Sequence, residues 1–148
     1  MPKVLIVVGS KSDSEYAEKC RQQLHDLGIE GVVEVSSAHR HPDKTADLAR
    51  MAEDKGIEVI IAMAGLAAAL PGTMAAHSTL PVIGVPIPAA LEGLDSLLSI
   101  AQMPPGIPVA AMGIGTPGAK NAAVLAARIL AVKYPEIKEL VEKHRNSL

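Results

Sequence analysis

Two short stretches group side chains able to move a proton or grip an anion with glycine, serine or proline. Residues 37–43 read SAHRHPD and residues 9–13 read GSKSD. His39 carries the group best suited to proton transfer near neutral pH, and Arg40 beside it offers a rigid cationic fork for phosphate or carboxylate. A lone His is more often structural; the neighbouring Arg gives the chemical reading equal standing. In GSKSD, a Gly, two hydroxyls and an acid precede a helix-like segment, where free N–H groups and the helix dipole favour an anion. Asp13 would oppose a phosphate but suits a ribose hydroxyl. The competing reading is capping, since Ser12 and Glu15 fit a capping box. His39 and His41 form an extended HxH, yet no third metal ligand is in view, so no metal is expected. GIGTPG (113–118) matches GxGxxG but opens the last helix of the sheet with no strand to follow, which argues against a dinucleotide site. Its glycines suit close backbone approach to a ligand or to a neighbouring subunit.

These stretches need elements to hold them. Five apolar runs recur along the chain: VLIVV (4–8), VVEVS (32–36), EVIIA (58–62), PVIGV (81–85) and PVAAM (108–112). Several are continuous rather than alternating, as strands buried on both faces tend to be. Helix-like segments separate them: Asp13–Leu27, Pro42–Lys55, Pro71–His77, Leu91–Gln102 and Ala119–Lys133, with a charged one over Pro135–Arg145. Such alternation predicts a parallel sheet with helices on both faces. Ligands bind outside the carboxyl ends of strands in open sheets of this kind. Those positions read GSKSD, SAHRHPD, AGLAAALPG (64–72), PIPAA (86–90) and GIGTPG, so the small and Gly- or Pro-rich residues collect on one edge.

The totals narrow the function classes. At 148 residues a single domain, residues 1–148, is expected. A net charge of −2, no Phe or Trp, and only Tyr16 and Tyr134 leave neither a basic surface nor stacking platforms for nucleic acid. Cys20 is alone, which excludes a disulfide framework and makes a reducing cytoplasm the default. VLIVV is too short for a membrane span, so no membrane partner is expected. The helix AKNAAVLAARILAV is apolar around almost its whole circumference. That predicts burial by other subunits, the alternative being a helix held between its own sheet and its C-terminal neighbour.

The order GSKSD, SAHRxPD, AGLxAxLPG, PVIGVP, GLDSLLSIxQMPxGIPVA and NAAxLAARIL resembles the N5-carboxyaminoimidazole ribonucleotide mutase and aminoimidazole ribonucleotide carboxylase family of purine biosynthesis, from about Val4 to Leu130. The resemblance implies a flavodoxin-like, three-layer α/β/α subunit with about five parallel strands, in a homo-octamer built partly through the C-terminal helices. It implies an imidazole ribonucleotide monophosphate as substrate, with carbon dioxide, and neither metal nor organic cofactor. Ser10, Asp13 and Arg40 match the family's nucleotide contacts, and His39 matches its general acid–base residue. The substrate-binding set expected on this basis adds Gly9 and Ser12, Ser37 and Ala38, then Ala64, Gly65, Ala68, Ala69 and Leu70. The last group would form a small, apolar wall able to hold a neutral gas molecule beside the ring and exclude water.

One position departs from the pattern. The mutase branch normally reads GxxAHLPG, and this chain has Ala69 at the histidine. The carboxylase branch also lacks that His but differs in the later segments, where this chain is mutase-like. A mutase that tolerates Ala69, a carboxylase using free carbon dioxide, a weakened or non-catalytic nucleotide-binding paralogue, and an engineered substitution all fit. His77, eight residues on, could lean into the gap or face solvent or another subunit. His41 replaces a Thr common after the family's His-Arg.

Overall fold

The computed structural model describes all of residues 1–148. The first strand shows how the sheet is made. In β1 (Lys3–Val8) the side chains of Val4, Ile6 and Val8 enter one core, and those of Leu5 and Val7 enter another. That is the period-2 alternation of a strand with both faces covered. Its neighbours are β2 (Glu30–Val35) and β3 (Ile57–Ala64), followed outward by β4 (Val82–Pro86) and β5 (Ala110–Ala111). The order is β2-β1-β3-β4-β5 and every pairing is parallel, the flavodoxin-like arrangement. Connections after β1 and β3 run in opposite directions, so a crevice opens between their carboxyl ends.

One face of the sheet carries α1 (Ser14–Asp26), α5 (Thr116–Ala131) and α6 (Pro135–Asn146). The other carries α2 (Pro42–Met51), α3 (Leu70–His77) and α4 (Leu94–Ala101). Cys20 is on the buried face of α1, where desolvation pushes its thiol up to about 12 and keeps it protonated.

Two sequence expectations change. The run at 108–112 yields only the two-residue β5, because Pro104, Pro105 and Pro108 remove backbone donors on its approach. α4 begins at Leu94 rather than Leu91, since Leu91, Glu92 and Gly93 all take positive φ and turn the chain before the helix starts. Much of the apolar circumference of α5 is covered within the chain. Ala119, Ala122, Ala123, Ala126, Ala127 and Leu130 are buried among the sheet, α1 and α6. The sheet, α1 and α6 thus account for the buried alanines, and Val124, Leu125, Ile129 and Ala131 keep an apolar strip part-exposed, as packing against another subunit would require.

Candidate functional site

Each strand ends in a short connection on the same edge. After β1, Gly9 and an extended Ser10 lead into a single 3-10 turn, Lys11–Asp13, before α1 begins. The Ser10 and Ser12 hydroxyls lie 2.6 Å apart, and Ser10 Oγ donates to Asp13 Oδ2 at 3.4 Å. With the Ser10 proton directed to Asp13, Ser12 is the donor to Ser10. The capping box is not formed: no side chain caps α1, and the Ser12 hydroxyl serves the loop instead. Burial raises the Asp13 carboxyl above its ordinary value, and the Ser10 hydrogen bond only partly offsets this.

After β2, the Ser37 carbonyl accepts the His41 amide at 2.8 Å and the Ser37 hydroxyl accepts the Arg40 amide at 3.2 Å. The resulting tight loop lifts His39 and Arg40 to an exposed crest. Neither side chain has a hydrogen-bond or ion-pair partner in the chain. After β3, Leu66 takes φ 55°, and the Ala68 amide bonds back to its carbonyl at 2.9 Å. Ala69 precedes α3, and its carbonyl accepts both the amide and the hydroxyl of Thr73, each at 2.9 Å. After β4, the Ile87 amide bonds to the Ala64 carbonyl at 3.0 Å, which ties the last two loops together. Gly65 is needed here, as a Cβ would press on the Ile87 carbonyl at 3.2 Å.

The four loops surround one cleft of about 640 Å³. It is lined by Gly9, Ser10, Ser12 and Asp13, by Ser37, Ala38, His39 and Arg40, and by Ala64, Gly65, Ala68, Ala69 and Leu70. Every site residue expected from the sequence is therefore brought to one place. His39 is the cleft's sole imidazole, Arg40 its sole guanidinium and Asp13 its sole carboxylate. One wall is polar and charged; the facing wall is alanine, glycine, leucine and proline.

The sequence of the AIR carboxylase family matches residues 3–148 of this chain. The chain belongs to that family. N5-carboxyaminoimidazole ribonucleotide mutase of Pyrococcus abyssi is 56% identical over 149 residues, spanning 100% of this chain and 84% of the relative. The enzyme of the same name from Saccharolobus solfataricus is 55% identical, over 97% of this chain and 90% of its own. Among solved structures, Treponema denticola PurE superposes with a TM-score of 0.88 at 32% identity, covering 99% of this chain and 91% of that one.

Within this AIR carboxylase fold the cleft also includes Leu66, Ala67, Ile87, Pro88 and Ala89, which were not among the expected site residues. The sequence puts PIPAA on this edge, but apolar lining residues carry no chemical mark by which to single them out. One alternative is closed and one expectation is corrected. His77 does not fill the space beside Ala69; it lies against Arg50 in a separate groove. The glycines of GIGTPG approach the chain's own backbone: a Cβ on Gly118 would fall on the Gly113 carbonyl, and the Gly115 amide bonds to the Pro86 carbonyl at 2.9 Å. No group of three or more His, Cys, Asp or Glu is placed to hold a metal ion. No helix is long and apolar enough to cross a membrane.

Proposed function

We propose that this chain is an N5-carboxyaminoimidazole ribonucleotide mutase, moving carboxylate from the exocyclic nitrogen of its substrate to the adjacent ring carbon. The observation that carries the reading is the cleft's division of labour. One imidazole and one guanidinium stand without partners on one wall, and the opposite wall holds no group that competes for a proton or for carbon dioxide. Relatives at 55–56% identity bearing that name support it.

Arg40 binds the phosphate, with Ser10 and Ser12 at the mouth of the first loop, and Asp13 takes a ribose hydroxyl. The carbamate C–N bond breaks, releasing carbon dioxide while His39 returns a proton to the nitrogen. The ring carbon then attacks the enclosed carbon dioxide, and His39, now neutral, removes the surplus proton from that carbon. One residue thus serves both halves and ends as it began. The wall from Ala64 to Leu70, with Ala69 at its centre, keeps carbon dioxide beside the ring and water away. Residues 1–148 act as one catalytic domain, in the cytoplasm, within a homo-octamer and without metal or organic cofactor.

The test supplies the carbamate ribonucleotide and, separately, aminoimidazole ribonucleotide with bicarbonate. Turnover of the first by the unaltered chain, with no gain from Ala69→His, is the expected result. A second reading, a carboxylase using free carbon dioxide, is favoured by Ala69 alone; bicarbonate-dependent turnover of the second substrate would establish it instead. Tight binding with no turnover of either would overturn both.

A further inference from the structure

His39 and Arg40 are exposed, so nothing packs their side chains into place and their geometry comes from the backbone beneath them. Directly under that loop lie two hydroxyls almost wholly removed from water, Ser36 at 2% exposure and Thr45 at 0%. Their oxygens are 2.7 Å apart. Thr45 Oγ1 also donates to the His41 carbonyl at 3.0 Å. Each hydroxyl has one proton, so with Thr45 donating to His41, Ser36 is the donor to Thr45. The result is a directed chain: Ser36 hydroxyl to Thr45 hydroxyl to His41 carbonyl.

Both ends of this chain are anchored. The Ser36 amide donates to the Val8 carbonyl at 2.9 Å, fixing it to the interior strand β1. The His41 carbonyl also accepts the Thr45 amide at 3.1 Å, and the His41 amide closes onto the Ser37 carbonyl. The segment carrying His39 and Arg40 therefore hangs between two points, Ser36 and His41, that a buried hydroxyl bridge holds at fixed separation. Thr73 makes the same backward bond to Ala69 on α3, but no second hydroxyl meets it. A backward bond of that kind is ordinary for a helical Thr. The partner across from Thr45 is not. Burying two hydroxyls is unfavourable unless they satisfy each other, and a simple apolar contact would fill the same space without any directional requirement.

We propose that Ser36 and Thr45 are positioning residues that set the His39–Arg40 loop for proton transfer. The inference rests on His39 acting as the acid–base group, and the experiment separates the two. Thr45→Ser, Thr45→Val, Ser36→Ala and the double variant Ser36→Ala with Thr45→Val are compared with the parent. Turnover of the carbamate ribonucleotide, melting temperature and amide exchange across residues 37–41 are measured. Thr45→Val alone leaves the Ser36 hydroxyl without a partner, so both stability and kcat should fall. In the double variant no orphan remains and melting temperature should recover, while kcat stays about tenfold low and the amides of Arg40 and His41 exchange faster. Thr45→Ser should restore both. A double variant with parental kcat and parental protection would overturn the proposal, as would kcat following melting temperature through the whole set. If the parent itself did not turn over the carbamate, the proposed function would fail, and the exchange data would still decide whether the hydroxyl pair holds the loop.

Discussion

The protein has two openings at opposite ends of its sheet, and they contain the same kinds of side chain. The cleft at the carboxyl ends holds His39, Arg40 and Asp13; the groove near the amino end of β4 holds His77, Arg50 and Glu53. The groove is the larger, about 900 Å³ against about 640 Å³. The difference lies in how the groups are engaged. Arg50 bonds to Asp47 Oδ1 at 3.3 Å and to His77 Nδ1 at 3.3 Å. A guanidinium can only donate, so His77 Nδ1 is the acceptor of this contact. His39 and Arg40 have no such partners. Volume alone would favour the groove and residue type does not decide; unengaged functional groups at the ends of buried strands distinguish the cleft.

The comparison is broken most directly at the two histidines. His39→Asn should lower kcat by about 10²–10⁴-fold, the usual range for a lost acid–base group, while His77→Asn should leave steady-state rates unchanged. A larger loss at His77 would move the site to the other end of the sheet. The two arginines give the next effect. Arg40→Ala removes charge-assisted hydrogen bonds worth about 1.5–3 kcal/mol, so KM should rise about ten- to a hundredfold with a smaller change in kcat. Arg50→Ala should alter neither constant, because its guanidinium is already committed to Asp47 and His77. Both pairs are read by steady-state kinetics on the carbamate ribonucleotide.

The cleft's side of this contrast is legible in the sequence, for a physical reason. Strands buried on both faces leave continuous apolar runs, and the chemistry-bearing residues follow those runs directly. VLIVV hands over to GSKSD, and VVEVS to SAHR. What stayed hidden depended on groups distant in sequence or on backbone angles that residue type does not announce. Ser36 and Thr45 are nine positions apart on different elements, and neither stands out among other hydroxyls. Leu66, Leu91 and Glu92 adopt positive φ without being glycine, which shifts the start of α4 and shapes the cleft wall. The all-round apolar surface of α5 does not say which part meets α1 and α6 within the chain and which part, at Val124, Leu125 and Ile129, stays part-exposed. The capping box was a correct local pattern overruled by the Ser10–Ser12 contact, and that overruling leaves the polar loop facing the cleft.

The smallest effect concerns Asp13, the carboxylate of the cleft. Burial raises its folded-state value above the unfolded one, so the folded chain holds this proton more readily than the unfolded chain does. The associated stability is fully present below the unfolded value and is lost as pH rises through the raised folded value. At neutral pH the charged carboxylate is therefore a net liability to folding. Asp13→Asn should raise the melting temperature slightly at pH 7 and lose that advantage at pH values below the unfolded titration point, as thermal melts at the two pH values would reveal. No such gain is expected from Glu53→Gln in the groove, an exposed side chain. A gain at Asp13 accompanied by weaker substrate binding would mean that the cleft keeps a destabilising charge for its ligand; a loss of stability at pH 7 would mean that the Ser10 hydrogen bond outweighs burial and that the carboxylate belongs to the fold instead.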